Sequence, residues 1–167
     1  MTFAVVIEPL TTTHDRQGFE CGAPALDRYL REQAGQDVRR RISNCFVVIE
    51  QDTGVIAAYY TLAAASIPVT SLPEAETRRL PRYPVLPATL IGRLAVNSCY
   101  QGRKLGAALI IDAVRRSARA DPAVFTMLVD AKDEAAVTFY RRHGFISLTS
   151  RPATLFLPVA TALKLFA

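Results

Sequence analysis

The sequence predicts an α/β (α+β) chain built on a single mixed sheet. Apolar runs of strand length alternate with segments of helical periodicity, in the order β-α-β-β-loop-β-α-β-α-β. No internal repeat, linker or low-complexity tract interrupts them. The chain has 167 residues, half of them apolar, which fits one domain over residues 1–167 and a core that needs no disulfide or metal staple.

Phe3 to Ile7 is a short apolar run and reads as a strand. Pro24 marks a helix start, after which Leu26, Tyr29, Leu30 and Ala34 recur at helical spacing. Arg39, Arg40 and Arg41 fall on the helix end or the next loop. Cys45 to Ile49 is a buried strand, Asp52-Thr53-Gly54 a turn, and Val55 to Ala65 the second strand of a hairpin. Ile67 to Pro87 holds five of the ten prolines together with Arg78, Arg79 and Arg82. Proline removes donors, so this stretch predicts a long surface excursion with one helical turn around Glu74 to Arg79. Thr89 to Val96 is a further strand, and Lys104 to Arg119 an amphipathic helix stopped by Asp121-Pro122. Val124 to Val129 reads as a central strand. Asp133 to Arg142 is a short helix with Ala136 and Tyr140 on one face, and Gly144 is its C-terminal glycine. Ser147 to Leu157 and the apolar tail predict one or two closing strands.

Composition narrows the function classes. Cys21, Cys45 and Cys99 are odd in number, scattered and never in a C-x-x-C pair, which argues against a disulfide framework or a zinc site and fits a reducing cytoplasm. Only His14 and His143 are histidines, and both are expected at the surface; no metal is expected. The near-apolar stretch Val55 to Val69 is too short for a bilayer, and the first residues predict no signal peptide, so no membrane partner is expected. The formal net charge is +5, and 17 of the 20 basic residues are arginine. Arginine's planar fork suits phosphate, although a GC-rich genome produces the same bias.

The segment with the clearest chemistry is RLAVNSCYQGRKLGAAL. A strand ends at Val96, and Gln101-Gly102-Arg103-Lys104-Leu105-Gly106 then leads into a long helix. Such a loop presents backbone N–H groups at the positive end of a helix dipole, and Arg103 and Lys104 add full charges, which makes a pyrophosphate site. Gly102 and Gly106 permit close approach of phosphate to backbone. The alternative is an ordinary strand-to-helix turn with a solvated basic pair. The pattern is neither a Walker A loop nor a Rossmann fingerprint.

About 25 residues on comes VDAKDEAAVTFYRRHGF. With both segments in place the chain resembles the GNAT family of acetyl-CoA-dependent N-acetyltransferases. The Gln101–Gly106 loop corresponds to that family's Q/R-x-x-G-x-G/A loop. Asp133, Ala136, Phe139, Tyr140, Gly144 and Phe145 correspond to its N-x-x-A-x-x-F-Y-x-x-x-G-F segment. Lys104 replaces the usual middle glycine, and Asp133 the usual asparagine. FECGAPALDRYLREQAGQD, YYTLAAASI and RRLPRYPVLPATLIGRLAV further resemble the GNAT-type toxins of bacterial toxin–antitoxin pairs, which acetylate the α-amino group of aminoacyl-tRNA.

The resemblance implies a GNAT fold: a mixed, mostly antiparallel sheet with a splayed central strand pair and helices on both faces. It implies that backbone groups of Leu94, Ala95 and Val96 pair with pantetheine. Gln101, Gly102, Arg103, Lys104, Leu105, Gly106 and Ala107 would hold the pyrophosphate, with Asp133, Ala136 and Phe139 completing the acetyl-CoA site. Tyr140 would be the general acid that protonates the departing thiolate. Arg78, Arg79, Arg82 and Arg93 would face tRNA, with Arg39, Arg40, Arg41, Arg141 and Arg142 extending the track. The implied partners are aminoacyl-tRNA, a ribbon-helix-helix antitoxin that brings operator DNA, and a second copy in a homodimer. The alternatives are a GNAT enzyme for a small amine or protein N-terminus, and a non-enzymatic nucleic-acid-binding module.

Overall fold

The computed structural model describes residues 3–167. Seven strands form one sheet in the order β1-β2-β3-β4-β5-β7-β6. They are β1 (Val5–Pro9), β2 (Asn44–Glu50), β3 (Ile56–Pro68), β4 (Val85–Val96), β5 (Thr126–Asp130), β6 (Ile146–Ser147) and β7 (Thr154–Pro158). β1 with β2, β2 with β3, β5 with β7 and β6 with β7 are antiparallel; β4 with β5 is parallel. The sheet is therefore mixed and mostly antiparallel, as the sequence predicts.

Contacts divide the chain into two compact units. One comprises the residues up to Ala63 with Gly92–Asp112, the other Ala64–Ile91 with Ala113–Ala167. In the first, helix α1 (Pro24–Arg28), a π-helical turn (Tyr29–Gln33) and helix α2 (Ala34–Arg39) form one run between β1 and β2. Pro24 opens the run where its missing N–H costs nothing. Leu30 and Ala34 are fully buried and join Phe19, Val47, Tyr59 and Ala95 in the core of this unit. Asp37 lies two turns after Tyr29 because the π turn absorbs one extra residue, so two turns span eight positions instead of about seven.

In the second unit, Val69–Ser71 and helix α3 (Glu74–Thr77) lie between β3 and β4. Helix α4 (Leu105–Arg119) belongs to the first unit as far as Asp112 and to the second from Ala113; helix α5 (Glu134–Arg142) precedes β6, and helix α6 (Val159–Leu165) follows β7. Ile67, Leu72, Leu86, Ala88, Leu128, Leu148 and Phe156 form the core of this unit.

Three boundaries differ from expectation. β3 runs on to Pro68, and β4 starts at Val85, before the predicted Thr89. The alternation that marks this early start is present, with Leu86 and Ala88 buried and Val85 and Pro87 exposed, but prolines obscure it. The Pro87 carbonyl accepts the Phe125 N–H at 2.9 Å. The apolar tail is helix α6, not a strand. Val159 and Ala162 are its buried pair at spacing three, a period too short-lived in seven residues to separate from a strand.

Candidate active site

Helix α4 begins directly after a bent loop. Gly102 has φ +83° and Lys104 φ +62°, so two of three successive residues are left-handed. Lys104 carries a Cβ there, at a cost of about 1–2 kcal/mol. No acidic residue stands in the first turn of α4, and no side chain takes its first N–H groups among the described residues. The positive end of a fifteen-residue helix is thus left open, with two cations immediately before it. A Cβ built on Gly102 meets nothing within 4 Å, so space lies beside the loop backbone. Arg103 does not swing freely: its Cζ lies 4.6 Å from the Phe3 ring centroid and 5.2 Å from that of Tyr100. Gln101 turns its side chain inward along the chain, donating Nε2 to the carbonyls of Val96 (3.3 Å) and Cys21 (3.4 Å). Its side chain fixes the loop, leaving only its backbone for a ligand.

Leu94, Ala95 and Val96 close β4. Ala95 is buried in the core of its unit, and its neighbours are half-buried. The parallel ladder of β4 with β5 runs from Ala88–Thr126 to Ile91–Val129. β4 continues past that last pair to Val96.

Helix α5 is fixed at both ends. Asp133 is its N-cap, with Oδ1 accepting the Ala136 N–H at 2.8 Å. The Asp133 side chain therefore closes a helix; Asp and Asn serve equally there, which explains how it replaces the usual asparagine. At the other end the Gly144 N–H donates to the Arg141 carbonyl and the Phe145 N–H to the Tyr140 carbonyl, both at 3.1 Å. This double bond pattern needs a left-handed residue, and Gly144 supplies it at φ +95°. The Phe145 ring then packs edge-on against Tyr140, centroids 5.4 Å apart. The Tyr-x-x-x-Gly-Phe spacing is thus a helix stop whose hydrophobic contact clamps the tyrosine.

Tyr140 is buried, and loss of solvent pushes its hydroxyl pKa well above the usual phenol value. The hydroxyl has no hydrogen-bond partner among the described residues. No buried polar side-chain atom is left unpaired there, so its oxygen reaches solvent-accessible space. The arrangement keeps a proton on an accessible oxygen in apolar surroundings. Phe139 is half-buried against His143, ring centroids 4.7 Å apart.

Residues 42–147 match the acetyltransferase (GNAT) domain family. The chain belongs to the GNAT acetyltransferases. It is 33% identical over 150 residues to a tRNA-acetylating toxin of Mycobacterium tuberculosis (strain ATCC 25618 / H37Rv), covering 89% of this chain and 88% of the relative. It is 30% identical over 166 residues to a probable toxin TacT of Sinorhizobium fredii (strain NBRC 101917 / NGR234), covering 93% and 92%. The solved structure of AtaT complexed with acetyl-methionyl-tRNAfMet overlays with a TM-score of 0.89 at 29% identity, over 98% of this chain and 100% of that one. An AtaT mutant bound to the C-terminus of the antitoxin AtaR and acetyl-CoA overlays at 0.80, 28% identical, over 98% of both chains. The AtaT–AtaR complex bound to DNA overlays at 0.77, 29% identical, over 97% and 99%.

The residues present suit the acetyl-CoA of GNAT enzymes: a helix N-terminus without an acid, two cations and a left-handed glycine beside open space. No group of three or more His, Cys, Asp or Glu able to hold a metal ion occurs among the described residues. Likewise, no helix among them is long and apolar enough to cross a membrane.

The arginines separate into two kinds. Arg78, Arg79 and Arg82 are exposed, and their side chains have no hydrogen-bond or ion-pair partner among the described residues. Arg93 is exposed but anchored: its Cζ lies 3.7 Å over the Tyr29 ring. The Tyr29 hydroxyl donates to Asp37 Oδ2 at 2.7 Å, and Gln33 Nε2 donates to Oδ1 at 3.0 Å. The bond from Tyr29, then that from Gln33, holds the Asp37 carboxyl below the usual carboxylate range. Sequence reading missed this Tyr29–Asp37 support, because only the π turn brings the two residues onto one face. It also placed both histidines at the surface. His14 is only 10% exposed in its side chain and bonds Glu8 at 2.7 Å. His143 caps α5, its Nδ1 against the Phe139 carbonyl at 2.8 Å. Arg141 donates to Ser147 Oγ at 3.0 Å, which ties it to its own unit.

Proposed function

We propose that this chain, as one domain over residues 1–167, transfers acetyl from acetyl-CoA to the α-amino group of aminoacyl-tRNA and thereby blocks translation. The observation that carries the reading is the near-complete overlay on AtaT complexed with acetyl-methionyl-tRNAfMet. Acetylation removes the nucleophilicity of the α-amine, so the amino acid can no longer accept a peptide.

Acetyl-CoA, when bound, supplies an activated acetyl thioester. The first-turn N–H groups of α4, at Leu105, Gly106 and Ala107, hold its pyrophosphate together with the Gln101 and Gly102 backbone, Arg103 and Lys104. Leu94, Ala95 and Val96 offer the pantetheine arm backbone pairs; the continuation of β4 past its ladder with β5 supports this. An N–H of that stretch stabilises the oxygen on which charge develops. Asp133, Ala136 and Phe139 belong to the helix that carries Tyr140, the first by capping it. Tyr140 would give its hydroxyl proton to the departing thiolate as the amine nitrogen takes the acetyl group, and the proton that the amine sheds would pass to water, from which the phenol is reprotonated. An α-amine has a pKa of about 8, so a useful fraction is neutral at pH 7 and no dedicated base is needed. Arg78, Arg79, Arg82 and Arg93 take tRNA phosphates.

The partner in this reading is a short ribbon-helix-helix antitoxin, through which the protein reaches operator DNA. The AtaT structures with AtaR and with DNA support an antitoxin partner and a DNA-bound complex. The enzyme works in the cytoplasm as a homodimer. The deciding experiment is mass spectrometry of total charged tRNA after incubation with the protein and acetyl-CoA. A mass gain of one acetyl group in place of a proton on the aminoacyl end is expected. Acetyl found only on a small amine or a protein N-terminus overturns the substrate.

A further inference from the structure

Between β3 and β4 the chain closes a small frame in which, apart from Arg82, no residue has yet been given a role. The Val69 N–H donates to the Pro84 carbonyl at 3.0 Å, and the Leu80 N–H to the Thr77 carbonyl at 3.0 Å. Within the frame is a cavity of about 400 Å³, walled by Val69, Thr70, Thr77 and Leu80 and also lined by Arg82 and Tyr83. Pro81 and Pro84 flank that pair and fix φ on either side of it. Tyr83 is 61% exposed, the highest value among the large apolar and aromatic side chains of the described residues. An aromatic ring held out in water on a proline-stiffened frame loses little conformational freedom on binding.

The chemistry of the lining is specific. A ring face, an apolar floor, the Thr70 hydroxyl and a guanidinium suit a flat heteroaromatic group with hydrogen-bonding edges and a phosphate attached. The Thr77 hydroxyl is already turned to the Glu74 carbonyl at 3.3 Å, whereas that of Thr70 has no partner among the described residues. Arg78 and Arg79, exposed and unpaired, extend positive charge along the same segment. The volume lies at the small end of ligand pockets.

We infer that this cavity takes one unpaired nucleotide of RNA, its base stacked on Tyr83 and its phosphate on Arg82. The inference rests on the aminoacyl-tRNA reading and makes Tyr83 a substrate-binding residue outside the acetyl-CoA site.

The test uses the full chain with Tyr83→Ala, Tyr83→Phe and Tyr83→Trp. Tyr83→Ala raises KM for charged tRNA roughly tenfold with kcat unmoved, and both aromatic variants restore it. The affinity for acetyl-CoA stays the same in all three. A short single-stranded oligoribonucleotide carrying 2-aminopurine is the direct probe: its fluorescence is quenched by wild type and by Tyr83→Trp, but not by Tyr83→Ala. That probe needs no acetyl transfer. Tyr83-dependent quenching without tRNA acetylation keeps the pocket and removes the proposed enzyme substrate. An unchanged KM and unchanged quenching in Tyr83→Ala overturn the pocket while tRNA acetylation stands. If Tyr83→Ala loses only its neutralisation by the antitoxin, the cavity is a protein-docking site and the nucleotide assignment falls.

Discussion

Helix α4 begins with two cations before it and no acid in its first turn, while α5 begins on Asp133, whose carboxylate occupies the Ala136 N–H at 2.8 Å. Both helices carry the same dipole per turn, yet only one offers its positive end to an outside anion. A carboxylate at the N-cap satisfies the helix internally and leaves nothing for phosphate. An empty N-terminus costs stability and keeps an anion site. The difference extends along each element. The loop before α4 is exposed and charged, as holding a polyanion in water requires. α5 carries an uncharged phenol that burial keeps protonated. The proposed anion binding and the proposed proton donation therefore fall on separate elements, and variants in each should move separate quantities.

The largest effect is expected at Tyr140. Tyr140→Phe keeps the ring contact with Phe145 and removes the proton, so kcat falls by roughly 10²-fold or more, as for loss of a general acid. Calorimetric affinity for acetyl-CoA is unchanged. Because the tyrosine pKa is shifted upward, its proton is retained in the folded state beyond the usual phenol range. The wild-type rate therefore shows no alkaline loss from this group up to about pH 10, and its rise with pH follows the substrate amine. A drop in acetyl-CoA affinity in Tyr140→Phe would merge the two roles that the comparison separates.

Next in size is Lys104→Asp, which gives α4 the feature of α5. A carboxylate there competes with pyrophosphate for the first-turn N–H groups, and acetyl-CoA should bind about tenfold or more weakly, about 1.4 kcal/mol. Titration calorimetry reads this directly; unaltered affinity would show that the α4 N-terminus is not the anion site. Asp133→Ala makes the reverse change. Losing the cap costs about 1 kcal/mol, which in a chain of this size lowers Tm by about 2–4 °C with acetyl-CoA affinity retained. Lys104→Gly is the smallest. Relief of the left-handed residue stabilises the fold by less than about 1–2 kcal/mol, offset by the greater freedom of glycine in the unfolded chain, while loss of one charge weakens acetyl-CoA binding a few-fold. Paired thermal melts and titrations separate the two contributions.

What the sequence disclosed was local. α4 announces itself through apolar spacing and a Pro stop, and α5 through an Asp at its start and a glycine past its end. Gly144 was readable as a left-handed stop, and φ +95° bears that out. The loop from Gln101 to Gly106 was readable because glycines and cations before a helix have a direct electrostatic meaning. The misread or unread features depend on residues far apart or on irregular backbone. α6 is a helix of seven residues whose spacing is no clearer than that of a strand. The π turn has no spacing signature, so the Tyr29–Asp37 support of Arg93 was invisible. His14 is covered by its bond to Glu8, a pairing that depends on how the segment folds back. The roles proposed for individual residues toward acetyl-CoA and tRNA come from family resemblance, since the backbone pairing proposed for Leu94, Ala95 and Val96 leaves no mark in side-chain chemistry.

One contact has a practical side. A Cβ placed on Gly144 would stand 2.7 Å from Leu165 Cδ1, so the last helix abuts the stop that clamps Tyr140. A substitution at Leu165, a residue no part of the chemistry touches, therefore reaches the phenol through the glycine stop and would register as altered turnover.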